Sequence, residues 1–224
     1  MRLFLIRHAQ SETNARWDNI VENKQLNAHL TDKGRTQARD LAEWLHAKVP
    51  QIDALYTSTL HRTRETAAPL EEVYGLTAAA DHRLREGGYS YATGAPIEDD
   101  RLPMRKHANF RTAPNRPLSA ELDGVESYND LRTRTGRFLA DMIDRHLQQT
   151  VIAVTHGWTL NALIDHVFNV GLYRSAYLNA ENTSVTYLEY LQQHDYEPWR
   201  VHFIAQTPHL EVFPNGLVSS EWEA

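Results

Sequence analysis

Short apolar runs and amphipathic stretches alternate along this chain. Leu3-Phe4-Leu5-Ile6 is an apolar run closed by Arg7-His8, of the length of a buried strand. Thr31-Asp32-Lys33-Gly34 reads as a helix start with Thr31 as N-cap, and Ala38, Leu41, Ala42 and Leu45 then recur at helical spacing until Pro50 stops the helix. A second strand is expected over residues 52–57. Ser58 or Thr59 would cap the next helix, which carries Arg62 and Thr66 and ends near Gly75, and a short third strand is expected at 77–80.

The rhythm breaks at residues 87–124, where Gly87-Gly88, Gly94, Pro96, Pro103, Pro114 and Pro117 interrupt any periodicity. A loop of this length inside a compact domain suggests an inserted, lid-like segment. Ser127-Tyr128-Asn129-Asp130 then resembles a capping box, and Leu131, Phe138, Leu139, Met142, Ile143 and Leu147 form one helical stripe. A strand over 151–155, a helix over 157–168 and closing strands at 184–191 and 201–204 complete the pattern. It predicts an α/β fold: a mostly parallel central sheet with helices on both faces, in one domain spanning 1–224.

Composition narrows the chemistry. The formal charge of −6 argues against nucleic acid, and the absence of cysteine excludes disulfides, thiol nucleophiles and thiolate metal sites. The 12 histidines are scattered, with no His-Glu-x-x-His cluster, so no metal is expected. No apolar run approaches the ~20 residues of a membrane helix, and residues 3–6 are too short for a signal-peptide core. Cytoplasmic residence is the expectation by default.

The candidate chemistry gathers where predicted strands end, the edge at which open α/β sheets carry their sites. His8 is a candidate nucleophile, since a neutral imidazole can attack phosphorus and split one displacement into two. Arg7 and Arg62 offer forked donors that match phosphate oxygens and keep their charge. His156, if protonated, would add a positive donor to the developing phosphoryl charge. Gly157 opens a helix whose N–H groups favour an anion, and lets a ligand approach the backbone. Glu86 is the candidate acid and base, protonating a leaving oxygen and then activating water. Asn14, Ser58 and Gln10 are candidate supporting donors to phosphate. Arg101, Arg105, Lys106, His107, Arg111 and Arg116 could attract anionic substrates to a lid at 101–116. Trp158, Tyr89 and Tyr91 could supply an apolar wall.

Together these segments resemble the histidine phosphatase superfamily, the phosphoglycerate-mutase-like branch 1 group. The resemblance runs from Leu5-Ile6-Arg7-His8 through residues 30–38, 58–67 and Leu84-Arg85-Glu86. It continues in Gly124-Val125-Glu126-Ser127, Val154-Thr155-His156-Gly157 and Asn182-Thr183-Ser184-Val185. It implies a three-layer α/β/α sandwich and a small-molecule phosphate ester as substrate, with no metal or organic cofactor. By the same resemblance His8 is the phosphorylated nucleophile, Arg7, Arg62 and His156 line the phosphate pocket assisted by Asn14, and Glu86 is the proton donor. Ala9 stands where the family's Arg-His-Gly signature has glycine, a variant common among its phosphatases. Trp158-Thr159 follow His156-Gly157 where glycolytic mutases have Asn-Ser-Leu. The expected activity is therefore a phosphomonoesterase, with a cofactor-dependent phosphoglycerate mutase or a non-catalytic phosphate-binding regulator as alternatives.

Overall fold

The computed structural model describes residues 1–15, 27–87, 126, 128–171, 176–194 and 196–210. Strands β1 (Arg2–Arg7), β2 (Ala54–Thr57), β3 (Ala79–Ala80) and β4 (Thr150–Thr155) pair in parallel. Strand β5 (Val185–Tyr190) joins β1 antiparallel, and β6 (Trp199–Gln206) joins β5 antiparallel. The resulting six-stranded sheet has the order β3-β2-β4-β1-β5-β6. The helices are α1 (Glu12–Ala15), α2 (Asp32–Lys48), α3 (His61–Tyr74), α4 (Tyr128–His146) and α5 (Gly157–Val167). A 3-10 turn spans His82–Leu84.

Because strand side chains alternate, Leu3 and Leu5 of β1 and Val151 and Ala153 of β4 face one way. They pack on Phe138, Leu139 and Met142 of α4 and Leu160, Leu163 and Ile164 of α5. Phe4, Ile6, Ile152 and Val154 face the other way, onto Leu41, Ala42 and Leu45 of α2 and Ala67 and Leu70 of α3. Both sheet faces are thus covered. This explains why the central strands read as continuous apolar runs rather than as alternating ones.

The strand order places a switch point between β1 and β4. The chain leaving β1 passes over β4 to reach β2, whereas the chain leaving β4 passes over β1 to reach β5. The two exits diverge to opposite faces, and the crevice between them lies at the carboxyl ends of both strands. Helix α2 closes tightly on this end. A Cβ at Gly34 would stand 2.0 Å from the Gln10 carbonyl oxygen, so only glycine lets its first turn lie on the loop after β1.

Several expected boundaries move. Thr31 caps α2 as expected, its hydroxyl accepting from the Gly34 N–H at 3.0 Å. Neither Ser58 nor Thr59 caps α3: the N-cap is Leu60, without a side-chain bond. Ser58 lies two residues before that cap, its hydroxyl accepting from the Leu60 N–H at 3.3 Å and standing 2.8 Å from His156 Nε2. Strand β3 is shorter than expected and β6 longer, because pairing fixes them; β6 pairs with β5 from Tyr190↔Trp199 to Val185↔Gln206, with register shifts on either side of Tyr187. The expected lid over 87–124, with its basic run at 101–116 and Tyr89 and Tyr91, lies outside the described residues apart from Gly87. So does Ser127 of the capping box. Among the described residues, no helix is long and apolar enough to cross a membrane.

Candidate active site

The β1–β4 register pairs Arg7 with Thr155, which sets the next residues, His8 and His156, side by side at the crevice. The His8 N–H donates to the Thr155 carbonyl at 2.9 Å, and the two imidazoles meet edge to face with centroids 5.1 Å apart. His8 is held at both ring nitrogens. Nδ1 lies 2.7 Å from the Ala9 carbonyl oxygen, which can only accept, so this nitrogen carries the proton. Nε2 receives the Arg62 Nε–H at 3.1 Å, so it keeps the lone pair. This is the tautomer of a nucleophile that attacks through Nε2.

Both rings are buried and held neutral. Burial is the first cause of the depressed His8 pKa, followed by the charges of Arg62 and Arg7, against a smaller opposing bond to Ala9. Burial likewise leads at His156, followed by Arg62. His156 is therefore neutral in the resting site, not the cation entertained from the sequence. Its Nε2 lies 2.8 Å from the Ser58 hydroxyl, and its buried Nδ1 has no partner among the described residues.

Arg7 bonds the Ala180 carbonyl through one terminal nitrogen, while its buried Nε has no partner among the described residues. Unpaired buried donors are rare and call for an explanation; a phosphate oxygen in the crevice supplies one. Arg62 reaches His8 from the first turn of α3. A Cβ placed on Gly157 would lie 3.9 Å from Arg7 Nε, 3.9 Å from Glu86 Oε2 and 3.0 Å from the Tyr177 hydroxyl, so these three side chains converge over this glycine.

Glu86 sits differently from the sequence expectation. The N-terminus of α5 is occupied by its carboxylate rather than open to a substrate anion. Oε1 accepts from the Trp158 N–H at 3.1 Å, the Thr159 N–H at 3.3 Å and the Gly87 N–H at 2.9 Å. His156, the N-cap residue, makes no side-chain cap, and Glu86 fills that place from outside the helix.

The supporting residues divide. Asn14 Oδ1 accepts from the Ser11 N–H and hydroxyl at 3.1 and 2.9 Å and from Asn182 Nδ2 at 3.3 Å. Asn182 also donates to the His8 carbonyl at 2.9 Å, tying Asn14 to the His8 backbone. Gln10 turns away: its Oε1 accepts from Thr31 at 2.9 Å, where it fastens the loop to α2. Among the described residues, no three His, Asp or Glu side chains are grouped to hold a metal ion.

Sequence reasoning missed a buried scaffold behind Glu86. Arg134 of α4 donates to the Arg83 carbonyl at 2.6 Å and the Glu86 carbonyl at 3.1 Å, while paired with buried Glu126 at 2.8 Å. Thr155 and Thr159 hydroxyls hold the Leu84 and Arg85 carbonyls at 2.9 and 2.6 Å. Glu126, Thr155 and Asn182 had a signal, as members of family-like motifs without an assigned role, and Thr159 stood beside one. Arg134 had none, lying in an amphipathic helix where arginine is ordinary.

Fold, crevice and paired histidines define a buried site at the switch point of an α/β sheet. The model of the histidine phosphatase superfamily (branch 1) matches residues 3–202, and the chain belongs to that family. It is similar to phosphoserine phosphatase 1 of Hydrogenobacter thermophilus, 29% identical over 187 residues, 82% of this chain and 84% of the relative. A protein named probable phosphoglycerate mutase from Enterobacter sp. (strain 638) is 27% identical over 199 residues, 89% of this chain and 87% of that one. Among solved structures, a mycobacterial glucosyl-3-phosphoglycerate phosphatase in complex with VO3 superposes with a TM-score of 0.70. It is 26% identical over 92% of this chain and 99% of that chain.

Proposed function

We propose that this phosphatase-class hydrolase cleaves small phosphate monoesters through a phosphohistidine on His8, without a metal or organic cofactor. The observation that carries the reading is the fixed tautomer of His8, with its Nε2 lone pair facing the Arg62 guanidinium. In the first step Nε2 attacks phosphorus and the ester P–O bond breaks. Glu86 delivers a proton to the leaving alcohol oxygen, and the Nδ1–H bond to Ala9 supports the phosphoimidazolium. In the second step Glu86 takes a proton from water as that water attacks phosphorus. The P–N bond breaks, and inorganic phosphate and neutral His8 remain.

Arg7 and Arg62 hold the phosphoryl oxygens, where fixed charge in a buried site acts on the charge that develops, and neutral His156 lines the same pocket. Asn14 and Ser58 support the same group, Gly157 leaves it room, and Gln10 acts only on the loop. The relatives' names point to phosphoserine and glucosyl-3-phosphoglycerate as substrates of those proteins, which fits a small phosphate ester here. The pairing of Trp158-Thr159 with His156-Gly157 favours transfer to water over transfer to a sugar acid.

The test is turnover of phenyl phosphate with a chelator present, by wild type and His8→Ala. Turnover that survives chelation and is lost in the variant is expected, with a phosphoenzyme trapped by acid quench. Turnover by the variant, or activity abolished by the chelator, refutes the reading.

A further inference from the structure

We propose that Tyr177 is a specificity-determining residue on the leaving-group side of the site, forming with Trp158 a wall that favours phosphate monoesters whose alcohol presents a ring face. The inference rests on the phosphomonoesterase reading and adds the class of alcohol. Tyr177 stands outside every family-like motif in the sequence, yet the fold brings its hydroxyl to within 3.0 Å of the point a Cβ on Gly157 would occupy. Arg7 Nε and Glu86 Oε2 are each 3.9 Å from that point. A phosphoryl group between Arg7 and the histidines, with its ester oxygen toward Glu86, directs the alcohol past Gly157 to Tyr177.

The wall is built and held. The Tyr177 and Trp158 rings lie 4.8 Å apart, tilted, and Trp158 meets Tyr128 edge to face at 5.9 Å. Tyr177 packs on this cluster and is 45% exposed. Its backbone is fixed by buried Asn161 of α5. The side-chain amide of Asn161 takes the Leu178 N–H at 2.7 Å and returns a bond to the Leu178 carbonyl at 2.9 Å and the Gly157 carbonyl at 2.8 Å. Two residues further, the Ala180 carbonyl holds Arg7, and Asn182 holds the His8 carbonyl. One extended segment therefore carries the wall and braces the clamp and the nucleophile. Aromatic faces gain from stacking against aryl rings and the C–H faces of sugars, and gain little from a two-carbon alcohol.

The experiment compares kcat/KM for phenyl phosphate, a hexose 6-phosphate and ethyl phosphate in wild type, Tyr177→Ala and Tyr177→Phe, with His8→Ala as control. Tyr177 is at the surface, so both variants should keep the fold, which urea unfolding checks. The expected result is a fall of about fivefold to tenfold in the phenyl-to-ethyl ratio for Tyr177→Ala, seen in KM more than in kcat, with the ratio kept by Tyr177→Phe. A parallel fall in the hexose-to-ethyl ratio assigns the wall to sugar as well as aryl faces. A ratio within threefold of wild type in Tyr177→Ala, or an equal fall in Tyr177→Phe, overturns the inference. Turnover that persists in His8→Ala would instead overturn the underlying reading.

Discussion

Replacing Gly157 by alanine should stabilise the protein and disable the site. Gly157 is the first residue of α5 and is absent from the glycines with positive φ, so alanine fits its backbone. Glycine to alanine in a helix is worth about 0.5–1 kcal/mol, with the lower end expected at a first position. At a urea slope of about 1–3 kcal/mol/M the unfolding midpoint should rise by roughly 0.2–0.5 M. The new methyl must displace the Tyr177 hydroxyl, 3.0 Å away, by a few tenths of an ångström, which the end of a surface side chain accommodates. The same methyl stands 3.9 Å from both Arg7 Nε and Glu86 Oε2, in the gap that the phosphoryl group and its ester oxygen must share. A misplacement of ~1 Å costs on the order of 100-fold, or about 2.7 kcal/mol of transition-state stabilisation. The assay is kcat/KM on phenyl phosphate beside urea unfolding with and without inorganic phosphate, whose stabilising effect should shrink. A variant with kcat/KM within threefold of wild type would refute the passage of substrate between Arg7, Glu86 and Gly157. A lowered midpoint without phosphate would refute the steric account of Tyr177.

Other perturbations test single parts of the site. Arg62→Ala removes the partner of His8 Nε2 and a charge from the pocket, and should lower kcat/KM by about 10²–10³; a variant within a few-fold of wild type removes Arg62 from the clamp. Glu86→Gln should lower kcat/KM on ethyl phosphate by at least tenfold more than on phenyl phosphate, whose leaving group needs less protonation. Equal losses would show that Glu86 is not the leaving-group acid. The depressed pKa values of His8 and His156 make stability depend on pH. The unfolded chain binds protons near pH 6.5 that the buried rings refuse, so their contribution is full above that pH and is lost as pH falls below it. At pH 5.5 the two should add nearly two protons to the uptake on unfolding, each about 1.4 kcal/mol per pH unit. Uptake unchanged in the double variant His8→Phe/His156→Phe would contradict their neutrality.

The sequence by itself determined the local elements and the inventory of chemistry. A strand's period of two and a helix's of 3.6 are written in a few consecutive residues. Residues 3–6, the Thr31 cap and the stripe from Leu131 to Met142 therefore announced themselves. The motifs also named His8, Arg7, Arg62, Glu86 and His156, because those side chains sit at strand and helix ends. Tertiary structure decided what local pattern cannot encode. Sheet order and crossover set which distant residues touch. They put Arg62 on Nε2 of His8, filled the start of α5 with Glu86, and drew the Ser58 hydroxyl to His156 instead of to a cap. They also brought Arg134 and Tyr177 to the site from segments with no motif of their own. A hydrogen bond between residues 50 or more positions apart depends on how layers pack, and that packing is a property of the whole chain rather than of any window within it.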